Sequence, residues 1–100
     1  MTRQVRTKMV SLASVARSPA FRDGVADYTK GKAPDYDRVY PYKRDRTPTD
    51  GIWAYERGRM FAAWAQGEGR EIPGPWFIDR RLNWRVRDAV SDAVRAGAIR

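Results

Sequence analysis

The chain of 100 residues has no cysteine and no histidine. Without cysteine there are no disulfides, no thiol nucleophile and no thiolate zinc site. Without histidine the commonest general base near neutral pH is gone. Aliphatic side chains are scarce: Leu, Ile, Val and Phe together supply 17 of 100 residues. No hydrophobic run approaches the length of a membrane span. The basic opening "MTRQVRTKMV" is not followed by the apolar stretch of a signal peptide. The expected location is therefore the cytoplasm, with no membrane partner. A glycine-rich phosphate loop of the Walker type is missing, and no carboxylates fall at metal-binding spacing. These absences predict no cofactor, no metal and no catalytic residues. Glu56 with Arg57 and Arg59 offers the one acid–base grouping, and a helix-surface ion pair is the commoner use of such residues.

Aromatics and arginine fill the gap. Four Trp, five Tyr and three Phe supply core volume that the short aliphatic list cannot. Arg outnumbers Lys 16 to 4. The guanidinium fork suits phosphate recognition and stacks on rings, although GC-rich codon usage gives the same bias. The net charge of +8 divides unevenly: +4 over residues 1–17, +1 over 18–76 and +3 over 77–100. Positive ends favour a polyanionic partner, nucleic acid first.

The length suits one small domain. The pattern predicts a basic N-terminal arm over 1–17, disordered without a partner, followed by a single helical domain over 18–100. The fold class read from the pattern is all-α. A helix is predicted over about 18–30: Ser18 caps it, Pro19 sits at its first position, Phe21, Val25 and Tyr28 share a face, and Gly31 ends it. A second helix is predicted over about 50–65, capped by Thr49 or Asp50. Trp53, Arg57, Met60, Phe61 and Trp64 share its broad face. Arg57 on that face is expected to lie across Trp53 or Trp64 and to reach Asp23 or Asp27. A third, amphipathic helix is predicted over about 79–96, capped by Asp79, with Leu82, Val86, Ala89, Val90 and Ala93 as its buried stripe. Trp84 points away from that stripe among Arg80, Arg81 and Arg87. Either it meets a partner, or the arm or the 66–76 segment folds over it.

Between the first two helices lies "KAPDYDRVYPYKRDRTPTD". Its prolines and aspartates prevent a regular element. Tyr36, Tyr40 and Tyr42 interleave with Arg38, Lys43, Arg44 and Arg46, the composition of a loop that stacks bases and holds phosphates. Tyrosines in a long loop also serve to pin it to the domain.

A weak repeat links the first two helices. "AFRDGVADY" begins at Ala20 and "AYERGRMFA" at Ala54, an offset of 34 residues. Each copy reads Ala, aromatic, two polar residues, Gly. Two such helices fit a hairpin whose crossing is made by Gly24 and Gly58.

The order of an aromatic-x-x-Gly helix, a linker with Gly, Pro41-Tyr42, and a Trp followed by a Gly-containing helix resembles ribosome modulation factor and the small phage- and plasmid-borne proteins grouped with it. The likeness covers about residues 18–65. The cysteine that usually precedes the Pro-Tyr pair is Tyr40 here, and the spacer to Trp53 is longer. The form "WAYERGRMFAAW" is similar to the bacteriophage members. The resemblance implies a small basic helical hairpin that binds ribosomal RNA and protein on the ribosome without catalysis. On this reading Tyr42, Lys43, Arg44, Arg46, Arg80, Arg81, Trp84, Arg85 and Arg87 meet the partner. The alternative is a phage protein that blocks a host complex, such as RNA polymerase or a defence nuclease, by docking the same basic surface on an acidic one.

Overall fold

The computed structural model describes residues 12–36 and 51–100. The described residues are mostly helical. In chain order they form α1 (Leu12–Ala16), α2 (Pro19–Thr29), α3 (Gly51–Gly67), β1 (Phe77–Ile78), β2 (Arg81–Leu82) and α4 (Trp84–Arg95). None of these helices is long and apolar enough to cross a membrane.

The start and end of α2 follow from its local chemistry. The Ser18 hydroxyl accepts a hydrogen bond from the Ala20 amide at 3.2 Å, and Pro19 loses nothing by lacking an N–H at the first helical position. Gly31, at φ +75°, turns the chain out of the helix. Of the stretch read as a basic arm, residues 12–16 form α1, and Val15 and Ala16 have no exposed surface. Residues 1–11 lie outside the described residues.

The α2–α3 pair is the centre of the fold. The helices run past each other in opposite directions: Phe21 stacks at a tilt on Phe61, with ring centroids 6.0 Å apart, while Asp27 meets Tyr55 at the other end. The crossing is made by the two glycines of the repeat. A Cβ on Gly24 would sit 2.1 Å from the Tyr55 carbonyl oxygen, and one on Gly58 would sit 2.0 Å from the Phe21 carbonyl oxygen. Each glycine thus rests on the carbonyl of the aromatic that precedes the other glycine by three positions. The contact is reciprocal, and only hydrogen at Cα permits it.

The buried face of α3 differs from the expected one. It runs through Gly51, Ala54, Tyr55, Gly58, Phe61, Ala62 and Ala65. Trp53, Arg57, Met60 and Trp64 are half-buried around its edge. Gly58 sits where α2 comes closest, Tyr55 and Phe61 flank it as buried rings, and both tryptophans are left at the edge.

The third helix also differs. It starts at Trp84, with Asn83 as its N-cap, and not at Asp79. Residues 77–82 instead form a two-stranded antiparallel hairpin in which Phe77 pairs with Leu82 and Ile78 with Arg81. Val86, Ala89, Val90 and Ala93 are the buried stripe of α4, as expected, but Leu82 belongs to the hairpin. Val86, Val90 and Ala93 join Val15, Phe21, Phe61 and Ile99 in one core. Trp76 ties the layers together. Its ring meets Phe21 at 6.2 Å and Phe61 at 6.5 Å. Its indole N–H donates to the Ala16 carbonyl at 2.8 Å.

Candidate nucleic-acid interface

The hairpin at 77–82 reverses in two residues. Both central residues, Asp79 (φ 50°) and Arg80 (φ 69°), are left-handed. Two left-handed residues match the twist of flanking strands, which is why tight hairpins use them. Glycine or asparagine is the usual choice, and Arg80 is neither, so the tip holds backbone strain. The turn throws Arg80 and Arg81 outward, and both are exposed.

Asn83 anchors the junction between hairpin and helix and is 3% exposed. Its side-chain oxygen accepts from the Arg85 amide at 3.0 Å. Its side-chain amide donates to the Pro75 carbonyl at 2.8 Å. Its backbone N–H donates to the Trp76 carbonyl at 2.9 Å. These bonds fix the angle at which α4 leaves the hairpin, and they place Trp84 on the same side as the tip.

The result is an open concavity of about 860 Å³ lined by Arg17, Ile78, Asp79, Arg80, Arg81, Leu82, Asn83, Trp84 and Arg87. Trp84 is 56% exposed and Ile78 47%. Among the described residues neither the 66–76 segment nor residues 12–17 close over the indole, and the rest of the expected arm lies outside them. The Arg85 guanidinium lies over its ring at 5.4 Å. Among the described residues, four arginines from three parts of the chain and a single carboxylate, Asp79, therefore line the same concavity as this largely exposed aromatic.

Of the residues expected to meet a partner, the structure brings Arg80, Arg81, Trp84 and Arg87 to one concavity and stacks Arg85 on Trp84. They meet by a turn and a cap, not by the helical spacing expected for them. Tyr42, Lys43, Arg44 and Arg46 lie outside the described residues. Arg17 and Ile78 are site residues that the sequence did not single out. The signal for Ile78 was the pair "FI" ahead of two polar residues. Nothing in the sequence placed Arg17 beside them.

Other charged and aromatic side chains join elements of the fold to one another. Arg57 lies over Trp53 at 4.2 Å, as expected. Its partners among the described residues are the main-chain oxygens of Arg100 at 2.8 Å and Trp53 at 3.4 Å, and Glu56 at 3.9 Å. The expected Asp23 or Asp27 is not among them. Burial is the main influence on its guanidinium and lowers its pKa, while Glu56 opposes the shift. Tyr55 donates its hydroxyl proton to Asp27 at 2.6 Å and accepts from the Asp35 amide at 3.0 Å. Burial, then the bond to Asp27, raises its pKa from the ordinary 10.0. Tyr36 donates to Glu56 at 3.1 Å and meets the Tyr55 ring edge-on at 5.9 Å, which pins the start of the linker to α3. Glu56 thus accepts from Tyr36 and stands in an ion pair with Arg57, while Arg59 turns to the Lys32 carbonyl and donates to it at 2.9 Å. Hydrogen bonding to Arg70, before any other influence, lowers the pKa of Asp92. Among the described residues no cluster of carboxylates is arranged to hold a metal.

Comparison with protein-family models, with curated proteins and with solved structures gives no match for this chain.

Proposed function

We propose that the chain is a non-catalytic RNA-binding regulatory protein that acts on ribosomal RNA, and that the face formed by the hairpin and the start of α4 is its contact surface. One observation carries this reading: Trp84, 56% exposed, stands in a ring of Arg17, Arg80, Arg81 and Arg87. Large aromatics are seldom left bare. Guanidiniums provide phosphate contacts that position a nucleic acid, and an aromatic face among them provides a stacking platform. The net charge of +8 gives the same surface long-range attraction to a polyanion.

A second reading is favoured by Ile78. An exposed aliphatic beside a bare tryptophan is also what a protein partner uses as an anchor, with arginines meeting its acidic rim. The two separate by sedimentation of the tagged chain through a sucrose gradient from bacterial lysate, with and without ribonuclease, at low and high salt. RNA binding predicts co-migration with ribosomal particles that ribonuclease and high salt abolish. Migration near the top, or with a complex that resists ribonuclease, overturns the first reading and supports the second.

A further inference from the structure

Three arrangements in the fold are unusual enough to ask what they do: the Tyr55–Asp27–Asp35 linkage, the Arg57 contact with the chain's last residue, and the concavity around Trp84. The first two are engaged on all the sides described and hold elements together. The third is open and charged, and its shape restricts what it accepts.

We infer that this concavity holds one unstacked nucleotide of a single strand, with the base on Trp84 and the flanking phosphates on Arg17, Arg80, Arg81 and Arg87. The inference rests on the RNA-binding reading and narrows it. An indole offers its face, and a base inside a duplex has both faces covered by its neighbours. Only a base in a loop, a bulge or a free strand can stack on Trp84. The deep, narrow major groove of an RNA duplex does not admit side chains, and strands of two residues each make no ribbon long enough to follow a groove. The volume of about 860 Å³ accommodates a nucleotide with room on either side. Arg85 already covers part of the ring at 5.4 Å, so the base takes the remaining exposed face.

The lining also sets how much sequence is read. Among the described residues, Asn83 is the only amide side chain in the concavity, and no hydroxyl side chain lines it. Both ends of the Asn83 side chain are occupied, by Pro75 and by the Arg85 amide. With the Asn83 amide engaged, the guanidiniums and the Asp79 carboxylate are the polar side chains left to meet a base edge, so the stack comes from the ring face of Trp84 and any base preference from these charged groups.

The test is fluorescence anisotropy of the full chain with a short fluorescein-labelled RNA strand, and with that strand annealed to its complement, over a range of salt. The single strand should bind more than about tenfold tighter than the duplex. Trp84→Leu should weaken strand binding by about 5- to 150-fold, the range expected for losing one base stack. It should leave the salt slope unchanged, and Trp84→Phe should restore most of the loss. Arg81→Gln should instead flatten the slope of log affinity against log salt by about 0.7, one phosphate's worth on a single strand. Because Trp84 is exposed, all of these variants should melt as the parent does. Binding of neither RNA form at low salt would overturn the RNA reading and the inference together. A duplex bound as tightly as the strand, or strand binding indifferent to Trp84→Leu, would leave the RNA reading standing and overturn the unstacked nucleotide.

Discussion

Arg80 holds a backbone angle of φ 69° that glycine adopts freely and arginine does not. The left-handed conformation costs an ordinary residue about 1–2 kcal/mol. Arg80→Gly should therefore stabilise the fold, by about 0.5–1 kcal/mol once glycine's greater freedom in the unfolded chain is set against the relief. The same change removes a guanidinium from the concavity and should weaken RNA binding. A rise in melting temperature of a few degrees together with lost affinity would mark Arg80 as a residue kept for binding at the expense of stability. Unchanged melting would show that the turn carries no strain. Tyr55 makes a prediction of its own. Its folded-state pKa is raised from 10.0 by burial and by Asp27, so the folded state keeps a proton that the unfolded chain releases. The stability it contributes is fully present below pH 10 and is lost as pH rises through the folded pKa. Urea titrations between neutral pH and alkaline pH should show this loss. Tyr55→Phe should cost about 1–3 kcal/mol at neutral pH and show a shallower alkaline decline. An equally steep decline in the variant would assign the alkaline loss to other groups, Tyr36 first, since its pKa is also raised.

At the scale of elements, the glycine crossing gives the sharpest contrast between local preference and packing. Ala is favoured over Gly in a helix interior by about 1 kcal/mol. Gly58→Ala nevertheless places a methyl 2.0 Å from the Phe21 carbonyl oxygen, which is backbone and cannot swing away. The helices must separate, and the fold should lose about 1–3 kcal/mol in urea titration despite the better propensity. Gly24→Ala should behave the same way, because its contact is the mirror of the first. Stabilisation by either change would refute the close crossing. This crossing was legible in the sequence because the two "A-aromatic-x-x-G" copies carry it. The ends of α2 were legible because a serine, a proline and a glycine act locally. The inner face of α3 was not: a helix apolar on nearly every side has no period that points inward, and the neighbour's proximity decides. The hairpin at 77–82 was hidden for a different reason. Its turn uses Asp79 and Arg80, which carry no turn signal comparable to Asn-Gly, while the arginines after it read as a continuing helix.

For the whole molecule, the charge pattern in the sequence pointed to the positive ends, and the fold brings arginines from both to one concavity. Arg17 comes from the region of +4 and the remaining arginines of the concavity from the region of +3. The fold brings them together because Val15 and Ala16 of α1 enter the same core as Val86, Val90 and Ala93 of α4, with the Trp76 bond to Ala16 beside them. The sequence grouped Arg80, Arg81, Trp84 and Arg87, and the fold keeps them in one concavity, since neighbours in sequence stay neighbours in a turn and a helix. Arg17 was out of reach because its place depends on contacts between distant parts of the chain. That dependence has a consequence for timing during translation. Domains form from the N-terminus as the ribosome extends them, yet the core around Val15, which Phe21 and Phe61 begin, is complete only when Val86, Val90 and Ala93 of α4 arrive. The glycine-crossed pair of α2 and α3 is available much earlier. A growing chain therefore carries its central helices before it carries its concavity, and Arg17 waits for the last helix before it joins the others.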